Sequence, residues 1–190
     1  FETYQSAVPG FDNVKPYQQI PFQYSAHYES HQKVDHFEFL AQDSLNDYRE
    51  EFIQNLISDM RQNGDILVYN ISFERSRLTE LITFFPQYKV ELQAIIDRMK
   101  DLMIPFKEKW YYTPQMKGSY SIKNVLPALV PSLSYDHLEI NNGILASSTF
   151  SNIHNVKNNN EVSSIRKNLL EYCKQDTLAM VKILDVLRSV

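Results

Sequence analysis

The sequence predicts a single α/β domain, and three observations carry that prediction. Between Ile20 and Tyr28 the apolar residues Ile20, Phe22, Tyr24, Ala26 and Tyr28 alternate with Gln23, Ser25 and His27, the period of a half-buried strand. Asn46 to Gln62 sets Tyr48, Phe52, Leu56, Ile57 and Met60 at helical spacing. It leads into the continuous apolar run Ile66-Leu67-Val68-Tyr69, the kind found in strands buried on both faces. Ile165 to Leu187 repeats Leu169, Leu170, Cys173, Leu178, Val181, Leu184 and Leu187 at three-and-four spacing, a long amphipathic helix. A chain of 190 residues amounts to one domain, 1–190, and buries about 70% of its unfolded surface without disulfides or a structural metal.

The remaining elements follow in order. Residues 4–19 carry prolines among mixed polar residues and read as a loop behind a short extended segment at Phe1-Glu2-Thr3. Val34 to Leu40, with Val34, Phe37 and Phe39, is the antiparallel neighbour of the strand at 20–28. Asp47, Glu50 and Glu51 stand in the first turn of the following helix, where the macrodipole favours acids. Asn63-Gly64-Asp65 stops that helix. Phe73 to Phe84 is helical, Pro86 breaks it, and Val90 to Met99 is another short helix. Leu102-Met103-Ile104 reads as a strand, and Ser121 to Leu129 as a helix ending near Pro127 or Pro131. Residues 141–164 turn to Asn, Ser and small side chains, including Asn158-Asn159-Asn160, and are the best candidate for a mobile loop.

Composition removes whole classes of function. Four scattered glycines, Gly10, Gly64, Gly118 and Gly143, permit neither a phosphate-binding G-x-x-x-x-G-K-[ST] loop nor a G-x-G-x-x-G turn. No apolar stretch reaches the about 18 to 20 residues that cross a bilayer, and the N-terminus lacks the pattern of a secretory signal. The single Cys173 agrees with a cytoplasmic location. The first residue is Phe1, not Met, which marks the chain as a piece of a longer polypeptide.

The balance of 19 bases against 23 acids, a net charge of −4, argues mildly against a nucleic-acid partner. Its distribution tempers that. Residues 29–51 hold seven acids against two bases. Residues 105–124 hold Lys107, Lys109, Lys117 and Lys123 against Glu108, interleaved with Phe106, Trp110, Tyr111, Tyr112 and Tyr120. Bases stack on such aromatics while lysines hold phosphates; equally, the aromatics can pin the loop to the core and leave the lysines solvated.

Three acidic features bear on metal chemistry, and each has an ordinary structural reading. Glu2 can be a solvated terminal residue. Glu74, opening a helix after the turn Asn70-Ile71-Ser72-Phe73, can simply compensate the helix dipole. Tyr172 and Asp176, four apart on the last helix, can be its polar boundary. His27, His31 and His36 suggest a metal site, but strand alternation puts 27 and 31 on one face and 36 on the other. Solvated or hydrogen-bonded histidines are the better reading. Cys173 falls on an apolar helix face as a buried, inert thiol.

Together, the three acidic features resemble the DEDD, or DnaQ-like, exonucleases of the ribonuclease H-like superfamily. Glu2 in Phe1-Glu2-Thr3 matches the Glu of the first motif, D-x-E. Asn70-Ile71-Ser72-Phe73-Glu74 resembles the second motif, N-x-x-F-D, with Glu in place of Asp. Tyr172-Cys173-Lys174-Gln175-Asp176 matches the third, Y-x-x-x-D. The tyrosine branch is indicated because residue 171, five before Asp176, is Glu171 and not His. Gly118 to Leu126 resembles the S-L-K helix of such domains, and Asp101 falls where the family often has an aspartate after the second motif. The chain also looks like an uncharacterised bacterial subgroup in which this domain follows a PD-(D/E)XK nuclease domain.

The resemblance implies a ribonuclease H-like fold, with a mixed central sheet flanked by helices and a truncated first strand. It implies two-metal phosphodiester hydrolysis of the 3′-to-5′ exonuclease type. Glu2, Glu74 and Asp176 would be the metal ligands, for Mg²⁺ or Mn²⁺ as hard oxygen donors select. Tyr172 would join them as the residue that orients the attacking water. Asn70, Lys123, Trp110 and Tyr111 would be substrate contacts, the partner a DNA or RNA, with a second nuclease domain of the same polypeptide as another possible partner. The first motif's Asp would immediately precede Phe1, so the resemblance also implies impaired hydrolysis by the chain as it stands. The alternative expectation is a catalytically degenerate ribonuclease H-like domain that binds nucleic acid or a neighbouring domain.

Overall fold

The computed structural model describes residues 1–30 and 33–190. Three strands, β1 (Glu2–Tyr4), β2 (Ile20–Ser30) and β3 (Lys33–Leu40), form an antiparallel sheet in the order β1-β2-β3. Helix α1 (Arg49–Asp59) follows. Then β4 (Ile66–Val68) pairs in parallel with β5 (Met99–Asp101) across the helices α2 (Ile71–Phe84) and α3 (Lys89–Asp97). The rest is helical: the single turn α4 (Ile104–Lys107), α5 (Ile122–Leu129), α6 (Gly143–Asn152) and the long α7 (Asn159–Leu187). Among the described residues no helix is long and apolar enough to cross a membrane.

The core forms where the alternating face of β2 meets α1 and α6. Phe22 stacks on Phe150 with ring centroids 4.0 Å apart, Tyr24 meets Phe52 edge-on at 5.4 Å, and Phe1 meets Phe52 at 5.5 Å. Those aromatics, with Ile53, Leu56, Leu78, Leu126 and Leu169, are fully buried apart from Phe1. Helix α7 lies across β2. The wholly buried Gln23 donates its Nε2 to the Leu169 carbonyl at 2.8 Å. At the start of α7, Arg166 donates to the carbonyls of Leu40, Ala41 and Gln42 at 2.8 to 3.0 Å.

The structure corrects several expectations. The strands divide into sheets of three and two rather than forming one central sheet; β1, β4 and β5 are three residues each, so few ladder bonds are available to join them. Of the run 66–69 expected to be buried on both faces, only Val68 is buried. The expected strand at 102–104 is instead the turn into α4, because the parallel partner of β4 is Met99–Asp101. The segment 141–164 is not a loop but contains α6 and the first turns of α7. Its asparagines act as caps: Asn142 Oδ1 accepts from the Leu145 N–H at 2.9 Å and Asn158 Oδ1 from Asn160 at 3.0 Å, the role in which Asn favours a helix.

His27 and His36 are directly opposite in the β2–β3 register, so they share a face, with rings 4.6 Å apart. Strand alternation alone puts them on opposite faces, but it says nothing of the register between two strands, which decides the matter. His31 lies outside the described residues. Both described histidines are hydrogen-bonded, His27 Nδ1 to Thr177 at 2.8 Å and His36 Nε2 to Ser25 at 2.9 Å. Burial lowers the titration of both, that of His27 to about 4.

Candidate metal centre

Three carboxylates from three distant segments, Glu2, Glu74 and Asp176, come within electrostatic reach of one another. Glu2 arrives on β1 through an irregularity: Glu2 pairs with Gln23 but Thr3 pairs with Pro21, leaving Phe22 as the extra residue on β2. Pro21 lacks an N–H for the ladder, and such bulges re-aim neighbouring side chains. Glu2 Oε2 lies against the first residue of α6. A Cβ on Gly143 would stand 3.3 Å from that oxygen, so the missing side chain lets the backbone come close.

Glu74 sits in the first turn of α2. Its approach is fixed by a knot at the mouth of β4 and β5. Asp101 accepts the N–H of Asn70 on Oδ1 and of Ile71 on Oδ2, each at 3.0 Å, and the Met103 N–H on Oδ1 at 2.9 Å. Asn70 itself takes the left-handed conformation with φ 80°, which Asn tolerates better than most residues. Asp101 is thus the clamp that starts α2.

Asp176 comes from the middle of α7, with Tyr172 one turn before it. Tyr172 is 3% exposed. Its ring lies 6.4 Å from that of Tyr135, and the Lys123 ammonium sits 5.3 Å from the first ring centroid and 5.5 Å from the second. Lys123 Nζ donates to the Asn141 carbonyl at 2.6 Å. Both tyrosines stay protonated well above neutral pH, first by burial and then by the Asp176 charge.

The electrostatics set this site apart. Burial pushes all three carboxyls up: Glu2 rises to about 8, with the Asp176 and Glu74 charges adding to the effect, Glu74 rises with Asp176 adding to it, and Asp176 rises by burial against the pull of Tyr135, Lys123, the Phe1 ammonium and Tyr172. Within this chain the Phe1 ammonium pairs with Glu74 Oε1 at 3.0 Å. Glu74 Oε2, Asp176 Oδ1 and the Tyr135 hydroxyl are buried without hydrogen-bond partners. The Asp176 and Tyr135 side chains stand close enough to shift each other's titration but do not close a bond. Cys173 is buried beside the same charges, and burial raises its thiol far above neutrality.

An orphaned buried acceptor costs about 1–3 kcal/mol, more if charged, and crowded buried carboxylates are the pattern that a hard divalent cation relieves. In kind, therefore, Glu2, Glu74 and Asp176 fit Mg²⁺ or Mn²⁺. They stand in electrostatic reach rather than converged, and among the described residues no three His, Cys, Asp or Glu side chains form a ligand set ready for coordination.

The structure thus gathers Glu2, Glu74, Tyr172, Asp176 and Lys123. Asn70 is drawn instead to the Asp101 clamp and an open groove beside Tyr69, Met103, Tyr120 and Ser121. Trp110 and Tyr111 make no contact with the carboxylates: Trp110 is 75% exposed, and Tyr111 packs on Phe106 at 6.0 Å. Tyr135 and Gly143 join the site without having been anticipated. Neither lies in a motif, and no local pattern marks a residue whose role is to stand near another segment.

Residues 1–121 match the family described as a domain of unknown function, DUF2779. Similar chains include the uncharacterised protein MG366 of Mycoplasma genitalium, 28% identical over 203 residues, and its Mycoplasma pneumoniae homologue, 30% identical over 202. The uncharacterised protein UU173 of Ureaplasma parvum is 28% identical over 205 residues. Each alignment covers 96% of this chain and 30% of the relative, so the chain spans about 30% of the length of the curated relatives it matches. No solved structure matches. The family match takes in Glu2, Glu74 and the Asp101 clamp and spans 121 of the 190 residues: the chain belongs to the DUF2779 family.

Proposed function

We propose that this domain is a metal-dependent nuclease of ribonuclease H-like architecture that hydrolyses phosphodiester bonds in the manner of a 3′-to-5′ exonuclease. The observation that carries the reading is the partial burial of Glu2, Glu74 and Asp176, with one buried oxygen of Glu74 and one of Asp176 left unpartnered. The order of an antiparallel β1–β2–β3 set followed by a parallel β4–β5 pair, though split between two sheets, is in keeping with such an architecture. So is the motif order, Glu2 on a strand, Glu74 opening a helix after a strand, Tyr172 and Asp176 on the last helix. A residue joined to the Phe1 nitrogen would stand beside Glu74, where the resemblance puts the first aspartate.

Glu2, Glu74 and Asp176 would hold two Mg²⁺ or Mn²⁺ ions. Such a pair supplies activation of a water and stabilisation of the leaving 3′-oxygen in an in-line displacement. The chain's own groups do the rest. Tyr172, protonated at neutral pH, directs the water by hydrogen bonding and takes no proton from it. The water oxygen joins phosphorus, the P–O3′ bond breaks, and a proton passes to the departing oxygen. Lys123, held over both tyrosine rings, offers its ammonium to a phosphate oxygen. The low exposure of Tyr172 keeps bulk water away.

The experiment is Mn²⁺-dependent degradation of end-labelled single-stranded DNA and RNA by the full-length protein, with Asp176→Ala beside it. The reading requires shortening from the 3′ end that the substitution abolishes. An inert full-length protein, or undiminished cleavage by Asp176→Ala, overturns it. An inert protein that still binds the strands returns the degenerate, binding-only alternative, which the substitution of Glu74 for the usual aspartate favours.

A further inference from the structure

We propose that the segment 105–121 is a separate binding face for single-stranded nucleic acid, built from Trp110, Tyr112 and Tyr120 with Lys107, Lys109 and Lys117. The choice of strand as the occupant rests on the nuclease reading; the surface itself rests on four other observations.

The first is an inversion of burial. Along Trp110-Tyr111-Tyr112 the middle ring turns inward onto Phe106, while its neighbours turn out, Trp110 75% and Tyr112 51% exposed. Tyr120 is 47% exposed. Large aromatic side chains are the costliest residues to leave in water, and several along one segment mark a surface that receives something. The reading in which these aromatics pin the loop to the core holds for Phe106 and Tyr111, but not for the other three.

The second is charge. Lys107, Lys109 and Lys117 are exposed, with Glu108 the sole acid of the segment. In a chain of net charge −4 this is a local inversion, complementary to phosphates. The third is backbone. Lys109 and Lys117 occupy left-handed conformations, φ 58° and 53°, at the ends of two short helical turns where glycine is the usual residue. Keeping a long basic side chain there is costly for the backbone, and strain of that sort collects where a side chain has work to do.

The fourth is continuity. Phe106 packs against Tyr69 at 6.5 Å, and the Tyr69 hydroxyl donates to the Tyr120 carbonyl at 2.7 Å. Lys117 and Tyr120 therefore share an open groove with Tyr69 and Asn70, and Asn70 begins the helix that carries Glu74. A strand stacked on this face has a path toward the carboxylates. Stacking is tolerant of sequence because every base has a π-face, so the face selects single strands, whose bases are free, over duplex.

Trp110 is the only tryptophan, so its emission reports on this surface alone. In EDTA, where no metal-dependent cleavage occurs, a single-stranded oligothymidylate should quench Trp110, and the same sequence as a duplex should not. Tyr112→Ala and Tyr120→Ala should each weaken binding about tenfold. Replacing Lys107, Lys109 and Lys117 with Gln should reduce the slope of log affinity against log salt by about 2. Saturable binding in EDTA by Asp176→Ala keeps this face even if no cleavage is ever found. Cleavage by the full-length protein with no quenching of Trp110 overturns the face and leaves the nuclease reading. Protection of Trp110 from oxidation in the full-length protein, read on its own peptide by mass spectrometry before any oligonucleotide is added, overturns it too, since the rest of that polypeptide would then be the occupant.

Discussion

Two carboxylates serve the entry of α2, Asp101 from β5 and Glu74 from the helix's own first turn, and their treatment differs completely. Asp101 accepts three backbone N–H groups at 2.9 to 3.0 Å and closes the turn between β4 and α2. Glu74, three residues beyond the last of those donors that α2 supplies, is partly buried, with one oxygen paired to the Phe1 ammonium and the other, itself out of reach of solvent, to nothing. Asp176 likewise keeps a buried oxygen without a partner. A carboxylate whose lone pairs are filled by the backbone is structural. A set whose lone pairs stay open, with burial forcing every member's titration upward, is held at a cost to stability, the pattern expected of a site kept for chemistry.

The sharpest way to break this contrast is through turnover. Asp176→Ala should lower cleavage by the full-length protein on the order of 10³-fold, the scale of losing a metal ligand from a phosphoryl-transfer site. Single-turnover rates in Mn²⁺ check it. Stability should respond with opposite signs in the two groups. Asp101→Ala should cost about 3 kcal/mol in urea melts, because three N–H groups lose a charged acceptor and α2 loses its clamp. In metal-free buffer, Asp176→Ala should raise the midpoint instead.

The pH dependence sharpens the comparison further. Glu2 titrates near 8 in the folded chain and near 4.5 when unfolded, so across that interval the folded state holds the extra proton and stability falls as pH rises. From pH 6.5 to 8 the loss should reach about 2 kcal/mol. His27, held near 4, works in the opposite sense, but mainly below this window. Chemical melts of the metal-free chain at both pH values, with Glu2→Gln beside it, test the point: the substitution should flatten the slope to the share that the raised Glu74 and Asp176 carboxyls carry. Least affected is Asn142→Ala, which deletes the N-cap of the helix that Glu2 touches and should cost about 1 kcal/mol.

The elements that the sequence made legible are those with a local period. Strands β2 and β3 and helices α1 and α2 follow from alternation or three-and-four spacing, and the structure places them within three residues of the expected bounds, while α7 begins six residues earlier than its spacing predicts, at Asn159. What was not legible depends on relations between segments. The face shared by His27 and His36 is a matter of register. Asn142 and Asn158 looked like loop residues because capping and loop formation draw on the same side chain. Within the site, Glu2, Glu74, Tyr172 and Asp176 could be named from motifs, while Tyr135 and Gly143 enter through proximity alone. Trp110 and Tyr111 were joined to the site by composition, yet one faces water and the other packs on Phe106.

The central claim is that Glu2, Glu74 and Asp176 are metal ligands. Calorimetric titration of Mn²⁺ into the full-length protein at pH 8, repeated in buffers of different ionisation enthalpy, tests it most directly. The account predicts saturable binding with proton release, because carboxyls held protonated by burial must ionise to coordinate, and loss of both in Asp176→Asn. Binding that is absent, or that survives Asp176→Asn with the same proton release, would contradict it.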